Sequence, residues 1–324
     1  MKENLPVSRA AEILMQRDNI TLLCHRRPDG DTVGSAFALY YALRQLGKEV
    51  RVLCADPLPQ QYRYLYGPDY TPSRVLDWPV EYVVAVDVAS AELLGELEPK
   101  YGRMVDLCID HHPSNTDYAA LTCLWAGAAA CAEPAAAIIK AIGLPVAGRI
   151  AECLYTGLAT DTGGFRFSNT TAATMRLAAE IMESGVDTAR LNTCIFESVS
   201  KAKMLAEARM MSALQFYEND RIAVMPVTLA IRAETGVTGE ELEDVAGIPR
   251  KIEGVLLGIT IKEHEEECHI SLRSKEPVNA DRIAAAFDGG GHRFAAGCTI
   301  RASVEEAARL LVEEARKHLP KEQA

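Results

Sequence analysis

Short apolar runs alternate with amphipathic stretches through the first half of the chain. Residues 6–17 place apolar side chains at Ala10, Ile13 and Leu14, a helical spacing. ITLLCH (20–25) is mostly apolar and predicts a buried strand; the polar loop RRPDGD then leads into an Ala/Leu/Tyr-rich helix ending near Gly47. EVRVLC (49–54), YVVAVD (82–87) and MVDLCID (104–110) read as further strands, the last two ending on aspartate. Helical patterns cover 131–143, 147–160 and 170–184, the last stopping at Ser184-Gly185. Strands alternating with helices predict an α/β fold: a mostly parallel sheet with helices on both faces.

Residues 186–218 are helical in pattern and short of Gly and Pro, which predicts a stiff connector. The pattern then restarts with a strand at 221–228, a helix near 239–246 and a strand at 255–263. A glutamate-rich turn leads to HISLRS (269–274), a helix at 279–287, a glycine cluster, a short strand near 297–301 and an amphipathic helix at 303–318. The expected organisation is a first domain over 1–185, a helical connector over 186–218 and a smaller α/β domain over 219–324.

Composition narrows the function classes. Of 324 residues, 48% are hydrophobic and 24% charged, enough apolar material for a sizeable core and too much for a disordered chain. The net charge of −11 is spread out, with −7 in residues 1–200 and −4 beyond. Such acidity argues against broad binding to duplex nucleic acid or an anionic membrane, but not against a small anion held by a metal or a few arginines. With 6% aromatics and no basic run, a long stacked nucleic-acid track is not expected either. The nine cysteines contain no Cys-x-x-Cys pair, which predicts reduced thiols. The N-terminal residues lack the apolar stretch of a signal peptide, and no run of about 18 apolar residues occurs. The expected location is the cytoplasm.

The densest chemistry is His25-Arg26-Arg27-Pro28-Asp29-Gly30-Asp31, directly after a predicted strand, where open α/β sheets hold their ligands. Gly30 lets the backbone turn so that both flanking carboxylates aim inward. The same segment also reads as an N-capped turn, with Asp31 capping the next helix. Cys24 beside His25 reads as a buried thiol rather than a nucleophile. Further metal-competent side chains stand after two other strands, Asp87 and Asp110-His111-His112, and Asp161 lies in GLATDTGGFRFSN past a predicted helix. Taken singly, Asp87 reads as a strand-end cap and His111-His112 as one buried and one exposed ring. Four loops that all deliver metal-competent groups, with three of the seven histidines among them, make coincidence a poor explanation. Carboxylates and imidazoles without thiolate suit Mn²⁺, or Mg²⁺, better than a structural zinc. A second constellation is Asp288-Gly289-Gly290-Gly291-His292-Arg293-Phe294-Ala295-Ala296-Gly297. Its glycines suit either a helix end turning into a strand or exposed N–H groups facing a phosphate. His292, Arg293 and the preceding Arg273 tip the reading towards a phosphate.

The ordered set HRRPDGD, VAVD, DHHPSN and TDTGGFRFSN resembles the DHH phosphoesterases, and GGGHRFAAG resembles the signature of their associated C-terminal domain. The resemblance runs from about residue 5 to 318, and the two-domain form is similar to the oligoribonuclease and 3′-phosphoadenosine 5′-phosphate (pAp) phosphatase group, the nanoRNases. RecJ-like exonucleases share these motifs with extra domains, and family-two inorganic pyrophosphatases lack the GGGH element. The resemblance implies two Mn²⁺ ions between the domains, with Mg²⁺ or another divalent ion as substitute. His25, Asp29 and Asp87 would hold one ion; Asp31, Asp87, His111 and Asp161 would hold the other. Asp110 would orient a neighbouring group and His112 would face the scissile phosphate. Arg273, Gly290, Gly291 and His292 would grip a second phosphate. The implied activity is hydrolysis of short oligoribonucleotides to mononucleotides and of pAp. A phosphodiesterase for cyclic di-AMP or pApA is the nearer alternative, a non-catalytic nucleotide-binding module the distant one. A homodimer through the first domain is a family-level expectation, and the C-terminal domain also resembles one found beside alanyl-tRNA synthetases.

Overall fold

Five strands pair in parallel in the order β2-β1-β3-β4-β5: β1 (Ile20–Leu23), β2 (Val50–Leu53), β3 (Tyr82–Val86), β4 (Leu107–Asp110) and β5 (Leu121–Leu124). The computed structural model describes residues 4–66, 79–242 and 244–320, and its contacts divide the chain into units Met1–Ser198 and Val199–Ala324. A parallel sheet is covered on both faces, so its strands are apolar throughout rather than alternating. Leu22 and Val84 face the larger cluster, built with α1 (Val7–Gln16), α2 (Gly30–Gln45), α5 (Ala132–Ala141) and α6 (Gly148–Asp161). Leu23, Val83 and Ala85 face a smaller cluster under Leu94 of a 3-10 segment and Tyr101 of α4 (Glu98–Tyr101). Among the described residues this unit also holds the short α3 (Arg63–Tyr66), α7 (Ala172–Glu183) and the short α8 (Thr188–Asn192).

The strand order reverses between β1 and β3, which pair directly, Leu23 opposite Ala85. The chain leaves these neighbours in opposite directions across the sheet, opening a crevice at their carboxyl ends. Helices α2 and α6 close around it. A Cβ on Gly34 would stand 2.4 Å from the Cys153 carbonyl oxygen, and one on Gly157 would stand 2.6 Å from Asp31 Oδ1. The bare backbones let α2 and α6 touch, bringing Asp161 at the end of α6 to Asp31 at the start of α2.

The expected connector over 186–218 is not one rod. Asp187 caps α8 by accepting from the Arg190 N–H, a π-helical turn follows at Thr193–Glu197, and the chain then runs extended to Ser200. Ser200 caps a new helix, α9 (Lys201–Ser212), by accepting from the Lys203 N–H. Thus 186–198 belongs to the first unit and 199–218 to the second, where Gln215–Tyr217 forms β6.

The second unit is a mixed sheet in the order β10-β11-β9-β8-β7-β6, with β7 (Ile222–Val227), β8 (Leu257–Glu263), β9 (Cys268–Ser274), β10 (Gly290–His292) and β11 (Ala295–Ile300). One face packs on α11 (Ala280–Ala285) and α12 (Val304–Arg316) through Ile259, Ile270 and Leu272. Part of the other face is covered by α9, whose Met210 meets Met225 and Val227. The sequence reading missed α10 (Leu229–Thr235), capped by Thr228 and ended by Gly236 in the left-handed region. The helix expected at 239–246 is instead two 3-10 turns, Glu240–Leu242 and Asp244–Gly247, with residue 243 outside the described residues. Among the described residues no helix is long and apolar enough to cross a membrane.

Because Gly34 meets a backbone oxygen, not a movable side-chain tip, Gly34→Ala cannot be absorbed by a rotamer change. The substitution is expected to lower unfolding stability by about 1–3 kcal/mol in a urea titration. Unchanged stability would mean that α2 and α6 are free to separate.

Candidate metal centre

Each candidate side chain of the first unit is delivered by an element end. His25 stands two residues past β1, and Asp29 is the N-cap of α2, its Oδ1 accepting from the Asp31 N–H at 3.0 Å and the Thr32 N–H at 3.1 Å. The capping role expected of Asp31 therefore falls to Asp29. Asp31 is fully buried, with Oδ1 accepting from Ser35 Oγ (3.0 Å) and the Ala132 N–H (3.0 Å), and Oδ2 from the Cys131 N–H (2.5 Å). Asp87 follows β3 at φ +64°, a left-handed conformation that aims its carboxyl into the crevice, and is 2% exposed. Asp110 ends β4 with His111 and His112 directly after it, and Asp161 ends α6.

These groups converge. His25 Nε2 lies 3.6 Å from Asp29 Oδ1 and 3.7 Å from Asp87 Oδ2. His111 Nε2 lies 3.3 Å from Asp161 Oδ2, 3.5 Å from Asp87 Oδ1 and 3.8 Å from Asp31 Oδ2. Two donor sets result, His25/Asp29/Asp87 and Asp31/His111/Asp161, with Asp87 reaching into both. Asp87, His111 and His112 form a third close group, but His112 Nδ1 is engaged by Asp110 Oδ1 at 2.8 Å.

The donor atoms fit a divalent cation. Asp87 Oδ1 and His111 Nε2 are buried without a hydrogen-bond partner, a costly state unless something positive binds them. His111 Nδ1 sits 3.1 Å from the Ala128 carbonyl and His25 Nδ1 2.8 Å from that of Arg26. Donation from Nδ1 to those carbonyls leaves the Nε2 lone pairs facing the carboxylates, the tautomer a metal requires.

The carboxylates are crowded and dry. Burial raises the Asp31 carboxyl to about 6 against the pull of His111, and raises Asp161, with help from Asp31 and Asp29, to about 8. Burial and then Asp31 and Asp29 hold Asp87 well above the ordinary range. Asp29 goes the other way: burial would raise it, but its hydrogen bond and charge contact with His25 prevail and lower it. His112 is raised, chiefly by its hydrogen bond to Asp110.

Sequence reasoning passed over several supports. Asn115 Nδ2 donates to Asp110 Oδ2 at 2.6 Å, completing a relay from Asn115 through Asp110 to His112. The DHHPSN string held that asparagine in view without a signal for its role. Asn169 Nδ2 ties the Asp161 carbonyl (3.1 Å) to that of Ala129 (3.0 Å).

In the second unit, His292, Ala295 and Arg273 stand opposite one another on β10, β11 and β9. The glycines before His292 serve the hairpin: a Cβ at Gly291 would stand 2.6 Å from the Ala295 oxygen and Ala296 Cα. The Gly291 N–H, expected to face a ligand, donates to Asp281 Oδ1 at 2.9 Å. Arg293, offered as a further charge, is paired with Glu276 at 2.6 Å. Gly290 is exposed, as is His292.

With this geometry in place, the chain is placed among known proteins. It belongs to the DHH family of phosphoesterases: residues 19–158 match "DHH family, N-terminal domain" and residues 219–319 the "DHHA1 domain". Over 317 residues it is 31% identical to the bifunctional oligoribonuclease and PAP phosphatase NrnA of Thermus thermophilus, covering 95% of this chain and 93% of that one. The protein of the same name from Bacillus subtilis is 27% identical, covering 91% and 93%. The fold is shared with an exopolyphosphatase-related protein from Bacteroides fragilis, at a TM-score of 0.86, 23% identity and 96% coverage of both chains.

A pH dependence follows. The unfolded carboxyls titrate near 3.8, whereas Asp31 titrates near 6 and Asp161 near 8 in the fold. Across that window the folded protein holds more protons than the unfolded one, so the metal-free protein loses stability as pH rises. Asp29 and Asp110, both lowered, are ionised in both states there and do not offset the loss. Mn²⁺ competes with those protons, so its gain in Tm should be small at about pH 5 and larger at about pH 8. Thermal unfolding with and without Mn²⁺ checks this; a gain independent of pH, or one retained in Asp87→Asn, would refute it.

Proposed function

We propose that the protein hydrolyses short oligoribonucleotides to mononucleotides and removes phosphate from pAp, using a pair of divalent ions, Mn²⁺ foremost. The observation that carries this reading is the orphaned pair Asp87 Oδ1 and His111 Nε2 at the meeting point of four aspartates and two histidines. His25, Asp29 and Asp87 would hold one ion; Asp31, Asp87, His111 and Asp161 the other. Bound there, such ions supply positive charge to a phosphoryl group and acidify a water that attacks it. The name shared by the Thermus and Bacillus relatives supports the same substrates.

The chain's own groups have separate work. His112 keeps its Nδ1 on Asp110, so its Nε2 can present a proton to a phosphoryl or leaving oxygen. Its side chain is 41% exposed, within reach of substrate, unlike the buried His111. Asp110 fixes that ring and Asn115 fixes Asp110. In the second unit, Arg273, Gly290, Gly291 and His292 would hold another phosphate; with Gly291's N–H already engaged, the two side chains dominate. A net charge of −11 supports a short substrate over a long duplex. Nine free cysteines support a reducing compartment such as the cytoplasm.

Incubation with Mn²⁺ and di- to pentaribonucleotides should release mononucleotides, and pAp should release phosphate. Asp87→Ala should abolish both. Side-by-side kinetics on pApA, pAp and cyclic di-AMP rank the substrates, and faster turnover of the cyclic dinucleotide would replace this reading. No release by the wild type, or release equal to that of Asp87→Ala, would sink it.

Asn115→Ala is expected to lower kcat about 10–100-fold with little change in KM, since it frees the relay behind His112 rather than a binding contact. A rise in KM with kcat preserved would remove Asn115 from that role.

A further inference from the structure

Arg273 on β9 and Gly258 on β8 are directly opposite, so their Cβ positions lie on the same face of the second sheet. On that face the 3-10 turn Pro249–Lys251 rests against Gly258. A Cβ there would stand 2.8 Å from the Arg250 nitrogen and 3.0 Å from Pro249 Cβ. The missing side chain seats Arg250 next to Arg273. Their proximity is electrically felt: after burial, the charge of Arg250 is what lowers the Arg273 pKa.

Several other arginines of this unit are neutralised, Arg293 by Glu276, Arg309 by Glu306 and Arg316 by Glu218; what sets Arg250 and Arg273 apart is that they stand next to each other. Among the described residues neither Arg250 nor Arg273 pairs with a carboxylate, and Arg273 gives one N–H to the Leu272 carbonyl at 3.0 Å. Two adjacent unneutralised guanidiniums repel each other, and an anion shared between them removes that cost. The row continues from Gly258 and Arg273 through the small Ala295 to His292, so no bulky side chain stands between these donors.

We propose that Arg250 and Arg273 together clamp a terminal phosphate monoester, so that the second unit reads the phosphorylated end of a nucleotide. The chemistry favours an end over an internal linkage. A terminal phosphate carries close to two charges near neutrality and three free oxygens, enough for two guanidinium forks. An internal phosphodiester offers one charge and two free oxygens. This inference rests on the proposed nucleotide hydrolysis for its substrate, and it adds Arg250 and the preferred phosphate.

Calorimetric titration of the full metal-free chain with 5′-AMP and with adenosine tests the clamp without turnover. Wild type should bind 5′-AMP more tightly than adenosine, and Arg250→Ala should cut that advantage about tenfold, the scale of a charge-assisted hydrogen bond. Arg250→Lys, which keeps the charge but not the fork, should fall between. No advantage in wild type, or one unchanged in Arg250→Ala with unaltered thermal unfolding, would overturn the clamp. In turnover, Arg250→Ala should raise KM for pApA about tenfold more than for ApA, and equal changes would also overturn it. If wild type hydrolyses neither dinucleotide, the reading of function fails and the titration alone decides the clamp.

Discussion

The carboxylate of Asp31 is the joint on which the first unit turns. It accepts from Ser35 one turn along α2, from the amides of Cys131 and Ala132 where α5 begins, and lies against Gly157 of α6. A buried anion is expensive unless every lone pair is answered, and the start of a helix answers it with both N–H groups and the positive end of the macrodipole. One side chain thus fixes three helix positions at once. It also faces His111 Nε2 at 3.8 Å, so the packing that stabilises the helices presents the carboxylate to the candidate metal-binding cluster.

Much of this centre was legible because chemistry-bearing residues fell at the ends of apolar runs. VAVD and LCID announce strands whose final residues leave the sheet on its carboxyl side, and the structure brings Asp87, Asp110, His111 and His112 together there. What stayed hidden depends on tertiary neighbours. Whether Asp29 or Asp31 caps α2 is invisible in PDGD, since both can; the amides of Cys131 and Ala132, about a hundred residues away, claim Asp31 and leave the cap to Asp29. The short edge strand β5, Leu121–Leu124, lacks the full burial that made its neighbours readable.

The second unit shows a different ambiguity. Its glycine run suited either a helix end turning into a strand or N–H groups facing a phosphate; Gly290 and Gly291 stand in β10, whose backbone lies close to β11. Glycine records close approach without saying what approaches. At Gly291 it is the partner strand, and at Gly258 it is the turn carrying Arg250. With the Gly291 N–H already engaged by Asp281, an anion held by this unit would rely on side chains. A guanidinium suits that task because its donors are fixed in one plane.

The desolvation that raises Asp31, Asp87 and Asp161 also explains how an acidic protein can hold an anionic substrate. Carboxylates in water would be screened and would attract only loose counterions. Packed at a switch point with His25 and His111, they ionise only at a cost, which bound protons or a cation would relieve. When metal replaces the protons, the local charge is set by the ions, not by the −11 of the whole chain. A net charge of −11 therefore does not fix the sign at this crevice, which bound cations would make positive within an acidic chain.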